Sequence, residues 1–333
     1  MQEALDPVEL AVALMRIDST TGREGDVVRF VHRRLEERGW RVRRIPVTEG
    51  RDDVLATWAE EPLVTLSTHL DTVPPYIPPR VDGRRLWGRG SCDAKGIAAA
   101  MWCAAERLRA RGVPVALLFV VGEEVSHDGA HAANLVETSS RVLINGEPTE
   151  STLAVGTKGG LRATVRVRGE AAHSAYPHLG RSAIHQLLDM LHELRQRPLP
   201  TDPVLGETTI NVGVIEGGVA DNVIAAHASA RLMVGLVRQA DEMVRMLEGW
   251  ADGRAELEMG AVVPAARLGT VSGFPTSVVA FATDVPILSG WGTPYLYGPG
   301  SVHVAHRDDE HIEIDELRDA VGKYEELVDK TMR

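Results

Sequence analysis

The sequence predicts an α/β domain with a mixed sheet, interrupted by a smaller α+β domain. Strand-like and helix-like segments alternate in a mixed βαβ order up to about residue 157, which favours an α/β sandwich. Near 156–160 the pattern changes to βαββαβ, the order of a ferredoxin-like layer. A chain of 333 residues also exceeds the size at which one core keeps growing. We therefore expect a domain made of 1–157 and 264–333, with 158–263 inserted.

Caps and apolar runs predict the elements of the first domain in order. Asp6 and Pro7 form an N-cap and first-turn pair, a helix start signal, and Gly39 closes a second, amphipathic helix. Apolar runs bounded by turn residues predict the strands. The predicted helices are 8–17, 24–38, 94–109 and 315–332, and the predicted strands are 40–47, 54–58, 63–68, 115–121 and 141–145.

The inserted domain is predicted from alternating strands and helical patterns. Its expected order is strand 161–168, helix 182–197, strands 208–215 and 226–237, helix 240–250 and strand 255–259. Hinges are expected near 156–160 and 262–265, where the chain leaves and re-enters the first domain.

The composition is that of an ordinary globular protein, and it excludes several classes of function. A net charge of −11 argues against a nucleic-acid surface, which needs a basic face. No apolar stretch approaches the roughly 20 residues of a membrane-spanning helix. With only Cys92 and Cys103, and no secretory pattern at its start, the chain is expected to be cytoplasmic and thiol-reduced. P-loop, GxSxG and HExxH patterns are absent, so nucleotide and catalytic-serine interpretations lack their minimum residues.

Three predicted strands are followed directly by side chains that can bind metal ions. In open α/β sheets the ligand crevice lies at the carboxyl ends of the strands, so these side chains are expected on one rim. They are His69, Asp71, Glu123, Glu124 and Glu147. Residues two apart on a strand face the same side, so Asp71 can orient the His69 imidazole through its other ring nitrogen. The alternative for this pair alone is a capping aspartate beside a surface histidine.

Six ordered segments, spread from about Asp18 to Glu313, resemble the M20 family of dinuclear zinc amidohydrolases and exopeptidases. They are HLDTVP, GRGSCDAKG, VVGEEVSHDGA, NGEPTE, AAHSAYPHLGRSAI and GPGSVHVAHRDDE. The resemblance is strongest to the acetylornithine deacetylase and succinyl-diaminopimelate desuccinylase branch. It implies a mixed-sheet α/β/α zinc-hydrolase catalytic domain with an inserted ferredoxin-like lid and dimerisation domain.

The same resemblance implies two zinc ions bridged by Asp93. His69 and Glu147 would bind one ion, while Glu124 and His306 would bind the other. Oxygen and nitrogen ligands would also accept cobalt or manganese. His303 is the alternative for the last ligand, but His306 better matches the family pattern AHxxDE.

Catalytic roles are predicted for Glu123, Asp71 and His173. With Glu124 on a metal ion, Glu123 is left to hold a proton near neutral pH and to act as general acid/base on an activated water. The alternative is a capping pair at a helix near 127–136. His173 matches the family's oxyanion histidine, with a plain turn histidine as the alternative. Because this residue reaches the partner's active site in dimeric relatives, a homodimer through the inserted domain is expected.

Substrate contacts are predicted at Asn222 and Arg231, which match substrate-contacting family positions, and at Gly298 and Gly300, where backbone could approach closely. Glu at position 147 resembles the deacetylase and desuccinylase group, whereas Asp is usual in several dipeptidases and carboxypeptidases. The expected reaction is removal of an acetyl or succinyl group from an N-acyl amino acid such as acetylornithine, acetylcitrulline or acetyl-lysine. The alternatives are a dipeptidase or carboxypeptidase cleaving a small peptide, and, outside enzymes, a metal-free binding module, which should have lost these ligands.

Overall fold

The computed structural model describes residues 4–332 of the chain and divides into two units. The first unit runs to Val155 and also contains Arg267–Ser277 and the chain from Thr283 onward. The second unit contains Gly156–Ala266 and Val278–Ala282. The short segment 278–282 was not part of the inserted domain predicted from the sequence.

The elements of the described chain follow the predicted order closely. The helices are α1 (Pro7–Met15), α2 (Gly25–Glu37), α3 (Lys95–Ala110), α4 (Asp128–Ala133), α5 (Ala183–Gln196), α6 (Ala240–Ala251) and α7 (Ile314–Thr331). The strands are β1 (Arg41–Thr48), β2 (Arg51–Thr57), β3 (Val64–His69), β4 (Arg80–Asp82), β5 (Arg85–Trp87), β6 (Val115–Val120), β7 (Val142–Asn145), β8 (Leu153–Thr157), β9 (Gly159–Arg168), β10 (Thr201–Asp202), β11 (Gly206–Glu207), β12 (Thr209–Gly217), β13 (His227–Leu236), β14 (Glu256–Val263), β15 (Ala266–Arg267), β16 (Thr276–Val279), β17 (Thr293–Leu296) and β18 (His311–Glu313).

A six-stranded mixed sheet organises the first unit, in the order β1-β2-β6-β3-β7-β17. β3 pairs in parallel with both β6 and β7, and β17 pairs in parallel with β7. Parallel strands end at the same edge of a sheet, so the chain segments that follow β3, β6, β7 and β17 meet there. Every residue of β3, β6 and β7 is buried, as expected for strands covered on both faces.

The core of the first unit lies between this sheet and the helices packed on it, which include α1, α2, α3 and α7. α3 is buried along most of its length and carries a run of fully buried alanines, including Ala98, Ala99 and Ala100. Small side chains let its backbone come close to its neighbours at high packing density. Tyr324 of α7 completes this core and donates a hydrogen bond to the Tyr297 carbonyl oxygen at 2.9 Å.

The second unit has the predicted βαββαβ order, formed by β9, α5, β12, β13, α6 and β14. Its antiparallel sheet has the order β12-β13-β9-β14. Alternation along β9 places Leu161, Ala163, Val165 and Val167 in a core with the apolar faces of α5 and α6. The mixed α/β fold with an inserted ferredoxin-like layer is therefore confirmed.

Candidate metal centre

The carboxyl edge of the central sheet carries the acidic residues that the sequence predicted there. β3 ends at His69, and two residues separate β6 from Glu123. The turn after β6 depends on Gly122, whose φ of 76° lies in the left-handed region. A side chain at this position would also collide with the Asp128 carboxylate. Glu147 follows β7 after a single glycine, which brings it to the same edge.

Asp93 stands between two histidines that come from opposite ends of the chain. Its Oδ1 lies 3.0 Å from Nε2 of His69, and its Oδ2 lies 3.3 Å from Nε2 of His306. Each histidine has a second acidic neighbour. His69 Nε2 is 3.9 Å from Glu147 Oε2, and His306 Nε2 is 3.0 Å from Glu124 Oε2. The structure thus forms two imidazole–carboxylate groups that share one aspartate.

These separations fit metal coordination. Zinc bonds of about 2.0–2.2 Å place two tetrahedral ligand atoms roughly 3.3–3.5 Å apart, close to the separations around Asp93. One oxygen of Glu147, Oε1, is buried without a hydrogen-bond partner, as a ligand atom facing a cation would be. His69, Asp93 and Glu124 also place their ligand atoms within 4.8 Å of one another. The nitrogen and oxygen donors suit zinc, cobalt or manganese.

His69 is oriented by the backbone of Asp71 more closely than by its carboxylate. Nδ1 of His69 lies 3.0 Å from the Asp71 carbonyl oxygen and 3.5 Å from the Asp71 carboxylate. Both acceptors of Asp71 thus lie near Nδ1, and the carboxylate that the sequence predicted is one of them. Either acceptor holds the proton on Nδ1 and leaves Nε2 directed at the acidic groups.

The Asp71 carboxylate also supports the two neighbouring glutamates. It accepts hydrogen bonds from the backbone N–H groups of Glu123 at 3.1 Å and Glu124 at 3.2 Å, and from the Thr21 hydroxyl at 2.8 Å. Asp71 is fully buried, and although burial raises its pKa, its hydrogen bond with His69 and the interactions beside it lower the pKa overall. One aspartate therefore fixes both His69 and the turn that carries the predicted general base.

Burial and mutual repulsion set the protonation of the site. Burial, followed by the negative charge of Glu147, raises the pKa of Glu123 well above its usual value. Burial also raises the pKa of Glu147 well above its usual value. For Asp93, hydrogen bonds from His306 and His69 outweigh the effect of burial and lower the pKa. Hydrogen bonds to Asp93 and Glu124 raise the pKa of His306 to about 10.

Glu310 is a buried residue of this site to which the sequence assigned no role. Its Oε1 accepts hydrogen bonds from the backbone N–H groups of Gly90, Cys92 and Asp93, at 2.9 to 3.2 Å. Its Oε2 pairs with Arg89 Nη1 at 2.6 Å, and both side chains are essentially inaccessible to solvent. Glu310 thus holds the loop that carries Asp93. Its position four residues after His306, in the AHRDDE segment, is the signal that could have pointed to it.

Of the two histidines proposed for the last ligand, His306 lies at the acidic cluster. Its side chain is 50% exposed and its backbone φ is 64°. His303 is exposed, and its backbone N–H donates to the Ser301 hydroxyl at 3.3 Å.

Gly298 and Gly300, which follow β17, use their backbone groups inside the protein. The N–H of Gly298 donates to the Thr149 hydroxyl at 2.9 Å, and the N–H of Gly300 donates to Glu316 at 2.9 Å. A side chain at Gly298 would collide with the Glu147 carbonyl oxygen. These glycines therefore pack the loop against the Glu147 segment, while their contact with substrate stays a prediction.

The remaining predicted residues, His173, Asn222 and Arg231, lie in the second unit. The loops that carry His173 and Asn222 are hydrogen-bonded to each other. The Ser174 N–H donates to the Asn222 carbonyl oxygen at 3.0 Å, and His173 forms an isolated β-bridge with Val223. Arg231 is exposed on β13. The roles predicted for these three residues stay predictions.

Relatives of known family cover almost the whole chain. A "peptidase M20 domain-containing protein" of Schizosaccharomyces pombe is 36% identical over 98% of this chain and 85% of its own length. The chain belongs to the peptidase M20 family. A "probable carboxypeptidase" of Paracoccidioides brasiliensis is also 36% identical, over 96% of this chain and 84% of its own. Residues 155–253 match the family model described as "Peptidase dimerisation domain".

A solved structure shows the same fold. The crystal structure of a tripeptidase from Staphylococcus aureus superposes with a TM-score of 0.83, covering 98% of each chain at 19% sequence identity.

Family membership makes this chain a metal-dependent hydrolase of amide bonds. The finer prediction, membership of the acetylornithine deacetylase branch, finds no support among these relatives, which are named as carboxypeptidases or M20 peptidases. In the part of the chain that the structure describes, no helix has the length and apolar character to cross a bilayer.

Proposed function

We propose that this M20 hydrolase is an exopeptidase of the carboxypeptidase type, cleaving the terminal amide bond of small peptides. The observation that carries the proposal is the Asp93 carboxylate, which faces His69 with one oxygen and His306 with the other. Such a pair of sites beside a buried glutamate is an arrangement in which metal ions can activate a water for amide hydrolysis. The carboxypeptidase type is supported by the name of the 36% identical relative from Paracoccidioides.

The metal ligands we propose are grouped around the shared aspartate. His69 and Glu147 would hold one divalent ion, Glu124 and His306 would hold the other, and Asp93 lies between the two pairs. Bound there, the ions supply Lewis acidity, which lowers the pKa of water and polarises a carbonyl oxygen.

Glu123 is the residue we propose to move protons. Burial and the charge of Glu147 raise its pKa, so its carboxylate readily takes a proton from the attacking water. The same proton then passes to the nitrogen of the leaving amine. The two hydrogen bonds from the Glu123 and Glu124 backbone to Asp71 hold this residue in place during both transfers.

The second unit would contribute residues that recognise the substrate, and it would form the contact with a partner subunit. Arg231 offers a planar fork for a substrate carboxylate, with Asn222 as a further contact and His173 as a donor to the developing oxyanion. The match of residues 155–253 to a dimerisation domain supports a homodimer through this unit.

A second candidate is the deacylation of an N-acyl amino acid, because Glu occupies position 147. The chemistry is the same, since both substrates present an amide next to a free carboxylate. The two candidates differ only in the group on the acyl side of the bond.

The test pairs metal analysis with a matched substrate panel. Metal content is measured by mass spectrometry, and hydrolysis is followed for a dipeptide, its C-terminal amide, its N-acetylated form and simple N-acetyl amino acids. Cleavage that needs the free carboxylate and accepts N-acetylated dipeptides supports a carboxypeptidase. Cleavage confined to N-acetyl amino acids supports the second candidate, and a chain that binds no metal would contradict both.

A substitution at Glu123 separates chemistry from metal binding. Glu123→Gln preserves size but cannot take a proton, so turnover should fall by about 10²- to 10⁴-fold while two ions stay bound. Loss of metal in this variant would instead make Glu123 a ligand.

A further inference from the structure

His127 lies beside Glu123, four residues later in the chain, across a turn that does not continue into a regular helix. The backbone N–H groups of Ser126 and His127 both donate to the Gly122 carbonyl oxygen, at 3.0 and 2.7 Å, and His127 has a φ of 54°. This tight turn brings Nδ1 of His127 to 3.8 Å from Glu123 Oε1. The side chains are only 12% and 10% exposed, so water screens their interaction weakly.

Asp284 holds the same imidazole nitrogen from another side. Its Oδ1 lies 2.8 Å from His127 Nδ1, and its side chain is 1% exposed. The aspartate itself is held in a turn, because the N–H groups of Ile287 and Leu288 both donate to its carbonyl oxygen at 3.0 Å. The Nδ1–H group therefore stands between the carboxylates of Asp284 and Glu123.

The position of His127 matters because Asp284 and Glu123 are both acidic and buried. The charge of Asp284 acts on Glu123, and without a donor between the two carboxylates the Glu123 side chain could turn away from Asp284. A donor that is fixed to Asp284 and faces Glu123 Oε1 restricts where the Glu123 carboxylate can settle. A displacement of about 1 Å at a reacting group can lower a rate by about 100-fold.

We propose that His127, held by Asp284, is a positioning residue that fixes the Glu123 carboxylate for proton transfer. The proposal rests on the proposed role of Glu123 as general acid/base. It assigns His127 no contact with the substrate and no proton of its own to transfer.

The test uses variants that separate the side chain from the unusual backbone. His127→Gly tolerates the left-handed φ and removes the imidazole, whereas His127→Asn tolerates the same φ and keeps an N–H donor near the Nδ1 position. Asp284→Asn keeps an acceptor for Nδ1 but removes its charge. His131→Ala, at an exposed histidine of α4, is the matched control.

In the metal-loaded enzyme, His127→Gly should lower kcat by about 10- to 100-fold, with KM within about two-fold and two ions bound. His127→Asn should recover most of this loss, Asp284→Asn should show a smaller loss, and the control should match the wild type. An unchanged kcat in His127→Gly overturns the proposal. Loss of metal with an unchanged kcat per loaded site overturns it as well.

Two further readouts keep the proposal separate from the proposed function. In crystal structures of metal-loaded protein, the Glu123 carboxylate should shift by about 1 Å or more in His127→Gly but not in His127→Asn, whether or not a substrate is known. An unmoved carboxylate overturns the proposal. Glu123, His127 and Asp284 also form a group able to hold a cation, so a third bound ion that disappears in His127→Gly would assign a metal site there instead.

Discussion

His69 and His306 approach the same aspartate from two sides, but the protein holds them in different ways. His69 ends a central strand, has a fully buried side chain, and has its Nδ1 fixed by Asp71. His306 belongs to a loop and is half exposed. The structure fixes it less directly, through Glu310 four residues later, which is bonded to the loop that carries Asp93.

Because of this difference, the two proposed metal positions should not be equivalent. Ligands fixed before the ion binds lose little freedom on coordination, so the site at His69 and Glu147 should bind more tightly. At the second proposed position His306 is half exposed although the Glu124 side chain is buried, so an ion bound there should exchange more easily.

Removing each histidine in turn gives the sharpest test. In His306→Ala, water can take the vacated position, so one ion should stay and excess metal should restore the second ion and part of the activity. In His69→Ala the loss occurs inside a buried site, and excess metal should not restore activity. The expected fall in metal affinity exceeds the roughly 10- to 100-fold typical of an outer partner. Metal content after dialysis and activity during metal titration measure both effects. Equal metal retention and equal recovery of activity in the two variants would show that the two positions do not differ.

Glu310 connects the loop that carries Asp93 to the segment that carries His306. Its charge should therefore matter to the stability of the whole site. Glu310→Gln leaves the buried Arg89 cation without its carboxylate, which should cost about 3–5 kcal/mol in the free energy of unfolding. Glu313→Gln is the matched control, because its partner Arg85 is exposed and such pairs contribute at most about 1 kcal/mol. Urea unfolding of the metal-free proteins measures the difference. Equal losses in the two variants would show that the Glu310 pair is not special.

The buried residues His69 and Glu147 were easier to predict from the sequence than the hydrogen bonds that connect distant segments of the site. Apolar runs ending in His69 and Glu147 reveal parallel strand ends, because the geometry of a parallel sheet brings such ends together. The bond from Glu310 to Cys92 spans 218 residues, and no local pattern encodes it. The four-residue strand β17 was missed, since a short segment that contains Pro294 carries little strand signal. Short edge elements depend on tertiary pairing for their existence.

A third test probes the residue that fixes His69. Asp71→Asn should lower metal affinity by about 10- to 100-fold, the usual cost of disturbing a partner of a ligating histidine. The effect should fall on both ions, because Asp71 also accepts hydrogen bonds from the Glu123 and Glu124 backbone. Asp82→Asn, at an exposed aspartate of β4, should leave affinity unchanged. An effect confined to the ion at His306 would contradict the role of Asp71 in fixing His69.

The smallest expected effect concerns protons released when metal binds. Hydrogen bonds to Asp93 and Glu124 raise the pKa of His306 to about 10, so this imidazole carries a proton at pH 7 in the metal-free protein. An ion that binds there must displace that proton, so affinity should fall as pH is lowered and metal competes with more protons. Calorimetric titrations in buffers of different ionisation enthalpy count the protons released. His306→Ala should release about one proton fewer than the wild type, whereas His303→Ala should release the same number. Equal proton release from wild type and His306→Ala would place His306 outside the coordination shell. The proposed position at Glu124 would then have no imidazole ligand.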